Sequence, residues 1–154
     1  MTLCIVQLGK TKDSWLKTAL EEYHKRIAPY TRFEIIELPD TPITKVANID
    51  SLKQKEAEKL LRQINAEDYV VVLDERGIQK KSLEFASFLH NLYCMKRVVF
   101  VIGGVYGTSQ SLRDRANTLF SLSELTFTHQ MVRVILAEQI YRALTIINNK
   151  AYHY

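Results

Sequence analysis

The sequence predicts an α/β fold, a mostly parallel sheet with helices on both faces, and three observations carry this. Apolar strand-like runs alternate with helix-like segments along the whole chain. Residues 98–102, Val-Val-Phe-Val-Ile, carry no charge and suit a strand buried on both faces. That run ends in Gly103, Gly104 and Gly107, three of only five glycines, followed by Thr108 and Ser109 as possible N-caps. Strand, glycine turn, helix is how α/β enzymes bring backbone N–H groups close to a small ligand.

The elements follow in order. Residues 2–8 read as a first strand. Asp13 or Ser14 can cap a helix to about Ile27, with an apolar face of Trp15, Leu16, Ala19, Leu20, Tyr23 and Ile27, ended by Pro29. Residues 33–38 form a second strand, and Pro39 and Pro42 mark the loop after it. A charged helix runs from about Asp50 to Ile64; its mixed acids and bases over Lys53–Arg62 read as a solvated face. Tyr69–Leu73 is a third strand, and Asp74-Glu75-Arg76-Gly77 a polar loop directly after it. Ser82 caps a helix carrying Leu83, Ala86, Leu89 and Leu92, with Phe85 and Phe88 on its flank. After the fourth strand, 98–102, comes a short helix over Ser109–Asn117, then a short fifth strand over Leu119–Leu122. His129–Asn148 is the last helix and Lys150–Tyr154 a tail.

A chain of 154 residues forms one domain, 1–154, and can bury a core without staples. The net charge of +4 permits a polyanionic partner without demanding one. Cys4 and Cys94 sit in apolar segments and read as reduced, buried thiols. No Cys/His cluster has metal-ligand spacing, and Asp74 and Glu75 lack a third carboxylate, so no metal is expected. No apolar stretch reaches the roughly 20 residues that span a bilayer, and the N-terminus lacks a signal peptide, so a cytoplasmic protein with no membrane partner is expected. The G-G-x-x-G spacing is not the G-x-G-x-x-G of a nicotinamide site. The last helix is apolar around most of its circumference, from Val132 through Ile147. One face can pack on the sheet and the other on a second subunit, which predicts a homodimer.

Four stretches together resemble the SPOUT-class ribosomal RNA large-subunit methyltransferase H family, the pseudouridine N3-methyltransferases. They are Val-Val-Leu-Asp-Glu-Arg-Gly at 71–77, Phe-Val-Ile-Gly-Gly at 100–104, Leu-Ser-Glu-Leu-Thr-Phe-Thr-His at 122–129 and Val-Arg-Val-Ile-Leu-Ala-Glu-Gln-Ile-Tyr-Arg-Ala at 132–143, with Tyr-His at 152–153. The resemblance covers the whole chain. It implies an α/β knot in which the C-terminal part of the chain threads a loop as a trefoil, an obligate homodimer, and S-adenosyl-L-methionine as methyl donor. The implied substrate is a pseudouridine in the inter-subunit hairpin of large-subunit rRNA within the assembled ribosome. The chain departs from the family's usual residues at Val105-Tyr106, at Thr128 and Gln130 around His129, and at Ala151 and Tyr154. These departures motivate a second reading, a ribosome-binding protein of the same fold that has lost methyl transfer. Strand–helix alternation alone would also allow a flavodoxin-like nucleotide-binding module.

The resemblance assigns the cofactor to Leu73, Gly103 and the segment Leu122, Ser123, Glu124, Leu125, Thr126 and Phe127. Side chains of Leu73, Leu122, Leu125 and Phe127 can wall an adenine while backbone groups fix its edges; from spacing alone they are core and turn residues. Methylating an imide nitrogen calls for a base, or a charge that stabilises the anion. His129 and His153 are the candidates, histidine being the side-chain type whose charge changes nearest neutral pH. Tyr152 and His153 lie in the matching tail, where aromatic rings can stack on an unpaired base. Arg133 and Arg142 are nine positions apart and face opposite sides of the last helix. Arg142 can pair with Glu138 four residues earlier. Arg133, on an apolar face, needs a partner, which points to the dimer seam or to RNA phosphate and anion stabilisation.

Overall fold

The computed structural model describes all residues, 1–154. Its strands are β1 (Thr2–Leu8), β2 (Arg32–Leu38), β3 (Tyr69–Ile78), β4 (Arg97–Ile102) and β5 (Thr118–Phe120). Its helices are α1 (Ser14–Ile27), α2 (Ile49–Leu61), α3 (Ser82–Asn91), α4 (Gln110–Arg115) and α5 (His129–Ile147). The strands form one sheet in the order β2-β1-β4-β3-β5, and every neighbouring pair is parallel. Parallel neighbours need crossover connections, and the helices supply them on both faces.

Alternate side chains of each strand point to opposite faces. Leu3, Ile5, Val71, Val98 and Phe100 pack with residues of α1, α3 and α5. Cys4, Val6, Val70, Val72, Val99 and Val101 pack with Ala57 and Leu60 of α2 and Leu112 of α4. The central strands are covered twice, which is why they read as unbroken apolar runs.

Several expectations need correction. Asp74–Gly77 do not form a loop after β3 but lie within it. Leu73 and Ile78 both pair with Phe120, so the four residues between them bow out of the ladder as a wide irregularity. A Cβ on Gly77 would lie 2.5 Å from backbone atoms of Phe120, so only glycine allows this crossing of the two chain segments. In α3 the cap position is Lys81, whose N–H donates to Glu84 Oε2 at 2.8 Å. The buried face of this region is Phe85, Ala86, Leu89 and Leu92, while Leu83 is exposed. Phe85 stacks on Phe120 at 5.1 Å, and that contact sets the rotation of the helix. Trp15 and Cys94 are exposed, whereas Cys4 is buried as read.

α5 packs against α1 and α3, and its fully buried stripe includes Leu136, Ala137, Ile140, Ala143 and Leu144. Arg133 belongs to the same stripe and is 1% exposed. Its Nη1 donates to Thr11 Oγ1 at 2.9 Å and its Nη2 to the Leu8 carbonyl at 2.6 Å. Glu37 lies 3.9 Å away and also accepts from Gln7 Nε2 and from the Thr11 N–H and hydroxyl. Arg133 is therefore an internal anchor tying the start of α5 to the ends of β1 and β2. It is neither at a subunit seam nor open to phosphate. Burial pushes its guanidinium below the usual range, against the pull of Glu37 and Asp40.

Replacing Arg133 with methionine keeps the bulk but leaves the Leu8 carbonyl and Thr11 Oγ1 without their donor and removes the charge facing Glu37. We expect a loss of about 2–4 kcal/mol in urea unfolding. An unchanged midpoint would show that the anchor does not hold α5.

Candidate functional site

Strand register builds the site. Leu73 stands opposite Ile102 of β4 and Phe120 of β5. Gly103 is the next residue after β4, and Leu122 is two beyond β5. Three of the expected segments thus meet where β4 and β5 end and where β3 bows out of the ladder after Leu73, at the C-terminal edge of the sheet, the usual ligand position of an open α/β sheet. The chain from 121 to 128 starts at β5, on the sheet edge, and ends at α5, whose start is anchored to β1. It must cross the ends of β3 and β4. Ser121 donates to the Ser123 carbonyl at 3.0 Å and the Leu125 N–H to Ser123 Oγ at 2.9 Å, folding the segment on itself. Leu122 and Phe127 are half-buried, while Glu124, Leu125 and Thr126 are exposed. Leu125, 74% exposed, walls nothing within the protomer.

A polar network clamps this edge. Asp74 accepts a short hydrogen bond from the Thr108 hydroxyl and one from the Arg76 N–H at 2.9 Å, and Arg113 stands 3.8 Å away. Arg113 Nη1 also donates to the Thr108 carbonyl at 2.8 Å. Burial works to raise the Asp74 carboxyl, but the Thr108 and Arg76 hydrogen bonds and the Arg113 charge hold it below the usual carboxylate range. The network joins the end of β3 to the far side of the glycine turn, where Ser109 caps α4 by accepting the Leu112 N–H. It fixes Leu73 beside Gly103.

Two cavities flank the crossing segment. One, of about 260 Å³, is lined by Phe85, Phe120, Leu122, Phe127, Ile135 and Gln139 among others. Its aromatic and aliphatic residues can take the faces of a flat heteroaromatic ring, and Lys80, Lys81, Ser82 and Gln139 make up the polar side of the lining. The other, of about 270 Å³, lies between the ends of β1 and β2 and the 104–106 turn, and is lined by Lys10, Lys12, Glu56, Tyr106 and His129 among others. His129 opens here, apart from His153. Burial, then the Arg133 charge, lowers its imidazole below the usual range and favours the neutral form.

The tail folds onto α5 of its own protomer. Arg142 Nη2 donates to Glu138 Oε1 at 2.5 Å, and the Tyr152 hydroxyl donates to the same oxygen at 3.1 Å. The Arg142 guanidinium lies over the Tyr152 ring at 4.8 Å, and His153 Nδ1 is 3.5 Å from Arg142 Nη1. Tyr141 meets Tyr152 edge-on at 4.7 Å. Burial and hydrogen bonds with Tyr23 and Glu138 push the Tyr152 phenol well up, so it stays protonated. Gln139, which lines the aromatic cavity, donates to Glu138 Oε2 at 2.6 Å. The tail cluster and the cavity are therefore neighbours on one helix. The structure thus brings Arg142, Tyr152 and His153 together and leaves Arg133 and His129 elsewhere. Sequence reasoning missed the Asp74–Thr108–Arg113 clamp, whose members are far apart in the chain, and Glu56, which reads as part of a solvated helix face.

Comparison with known proteins identifies the family. The family described as "Predicted SPOUT methyltransferase" matches residues 1–153. The ribosomal RNA large subunit methyltransferase H of Trichlorobacter lovleyi is 46% identical, over the full length of both chains. Those of Geobacter metallireducens and Parabacteroides distasonis are 44% and 40% identical, over all of this chain and 99% of each relative. These matches displace the flavodoxin-like analogy. Since the family match and the full-length relatives take in the strand-end row, the clamp and α5 alike, the chain belongs to the SPOUT methyltransferase family.

Proposed function

We propose that this methyltransferase transfers the methyl group of S-adenosylmethionine to N3 of a pseudouridine in large-subunit rRNA. Its target is the inter-subunit hairpin of the assembled ribosome, and it works in the cytoplasm as a homodimer. The observation that carries the reading is the row Leu73, Gly103 and Leu122 beside an aromatic cavity. The residues present fit the cofactor: Leu122 and Phe127 offer apolar walls to an adenine, and backbone groups at 73, 103 and 122–127 offer donors and acceptors to its edges. When bound, the cofactor supplies an electrophilic methyl group on a sulfonium. The Asp74–Thr108–Arg113 clamp keeps the strand ends in register so that donor and acceptor can be held in line.

The tail supplies the polar chemistry. Glu138 holds Arg142 and Tyr152 in place. Arg142 can only donate, so His153 Nδ1 accepts and Nε2 carries the ring proton; Nε2–H can orient the base through a carbonyl oxygen beside the imide, while the imide proton leaves to solvent and the Arg142 charge favours the resulting anion. Tyr152 offers a ring on which the base can stack. The knot is part of the same reading: the crossing at Gly77 and Phe120 brings the C-terminal segment hard against the β3 bulge. The dimer reading draws on Val134 and Ile135, half-buried side chains of α5 that belong to neither core cluster. No helix is long and apolar enough to cross a membrane.

Deleting residues 151–154 should lower the rate of methyl transfer to ribosomes at least ~100-fold while calorimetry with S-adenosylmethionine stays near wild type. A wild-type rate from the truncated protein would remove the tail from the chemistry. A full-length protein that binds ribosomes without methylating them would favour the ribosome-binding reading. For the dimer, sedimentation should show a wild-type dimer at micromolar concentration and a folded monomer for Val134→Asp. A wild-type monomer would contradict the assembly. Ile140→Asp would report folding instead, since Ile140 is fully buried in its own protomer.

A further inference from the structure

The cavity between the ends of β1 and β2 and the 104–106 turn takes no part in the cofactor row. We infer that it is a binding site for a single unpaired nucleotide of RNA, with Glu56 hydrogen-bonding the base edge and Lys10 and Lys12 holding the phosphate. The inference rests on the RNA-substrate reading above.

Glu56 is the observation that sets this cavity apart. It is 7% exposed, lines the cavity, and its Oε2 is buried with no hydrogen-bond partner. A buried carboxyl left unpaired is costly, and native structures rarely keep one without a use. Its position is also built. The carboxyl lies where a side chain on Gly104 would begin, so the second glycine of the turn is what leaves room for it. Burial, and then the nearby Asp40, push the Glu56 carboxyl up, toward a form that can both donate and accept. The Watson–Crick edge of a nucleobase offers N–H donors beside acceptors, which such a group can pair.

The rest of the cavity supplies the other parts a nucleotide needs. Lys10 and Lys12 are exposed cations at its mouth, point charges suited to a phosphate. The Lys12 N–H donates to Gln130 Oε1 at 2.9 Å, fixing this loop to the start of α5. Tyr106 is 46% exposed at the rim, an aromatic surface for stacking. At about 270 Å³ the space is at the small end of ligand pockets, enough for one nucleotide and too small for a paired stem. Gly103 belongs to the cofactor row, and the next three residues, Gly104–Tyr106, line this cavity.

The test is an amide-resolved NMR titration with uridine 5′-monophosphate and, separately, ribose 5-phosphate. Uridine monophosphate should shift the amides of Lys12, Gly104 and Tyr106 and bind about tenfold more tightly than the sugar phosphate. Glu56→Met should remove that advantage, and Glu56→Gln, which keeps a donor and an acceptor, should retain it. The Lys10→Ala/Lys12→Ala pair, both exposed and safe for folding, should weaken both ligands. Equal affinity for the two ligands would reduce the cavity to an anion site and overturn the proposal. So would an advantage that survives Glu56→Met, or no shifts at these amides up to about 10 mM. Parallel calorimetry with S-adenosylmethionine separates the two claims: a protein that binds the nucleotide but not the cofactor refutes the cofactor reading alone.

Discussion

The structure depends on one buried anchor. Arg133 joins the N-terminal part of α5 to Leu8, the last residue of β1, and to Thr11 just beyond it, while β5 lies at the opposite edge of the sheet from β2. The eight residues between them have one route, across the C-terminal ends of β3 and β4. That route carries Leu122 and Phe127 over Leu73 and Gly103. A guanidinium inside a protein is expensive unless it is paired. Here it fixes where the chain crosses, and the crossing makes the site.

The site is then a consequence of register. Leu73, Ile102 and Phe120 form one row because the three strands are parallel and adjacent. Asp74 turns that row into a rigid edge by gripping Thr108 and Arg113 beyond the glycine turn. The turn begins at Gly103, next to the row, and Gly104 lies against Glu56. A nucleotide held on the Glu56 side would be a second hold on the RNA, apart from the base offered to Tyr152 and His153 for methyl transfer.

Much of this was legible in the sequence, and the exceptions have physical reasons. The alternation of strands and helices, the doubly buried β4 and the cap at Ser109 follow from local patterns. So does the Glu138–Arg142 pair. Parallel order and register do not: nothing local says that β4 lies between β1 and β3. Amphipathic spacing placed Leu83 and Trp15 inside because both fall on apolar arcs, yet the stacking of Phe85 on Phe120 turns α3 away from Leu83. Arg133 was recognised as a cation in need of a partner. Its partners lie more than 120 residues away, at Leu8 and Thr11, so the sequence points to a subunit seam or to RNA phosphate, and the residue belongs in the core. Glu56 gave no signal at all, because a glutamate among lysines on a helix reads as solvent-facing. Only the backbone of Gly104 shows otherwise.

The central claim is that the crossing segment and the strand-end row form the cofactor site. A crystal of this protein soaked with S-adenosylmethionine tests it most directly. The adenosine should lie against Leu73, Gly103 and residues 122–127, with its ring between Leu122 and Phe127. Density for the adenosine in the cavity of Lys10, Glu56 and His129, with the Leu122–Phe127 walls empty, would contradict it.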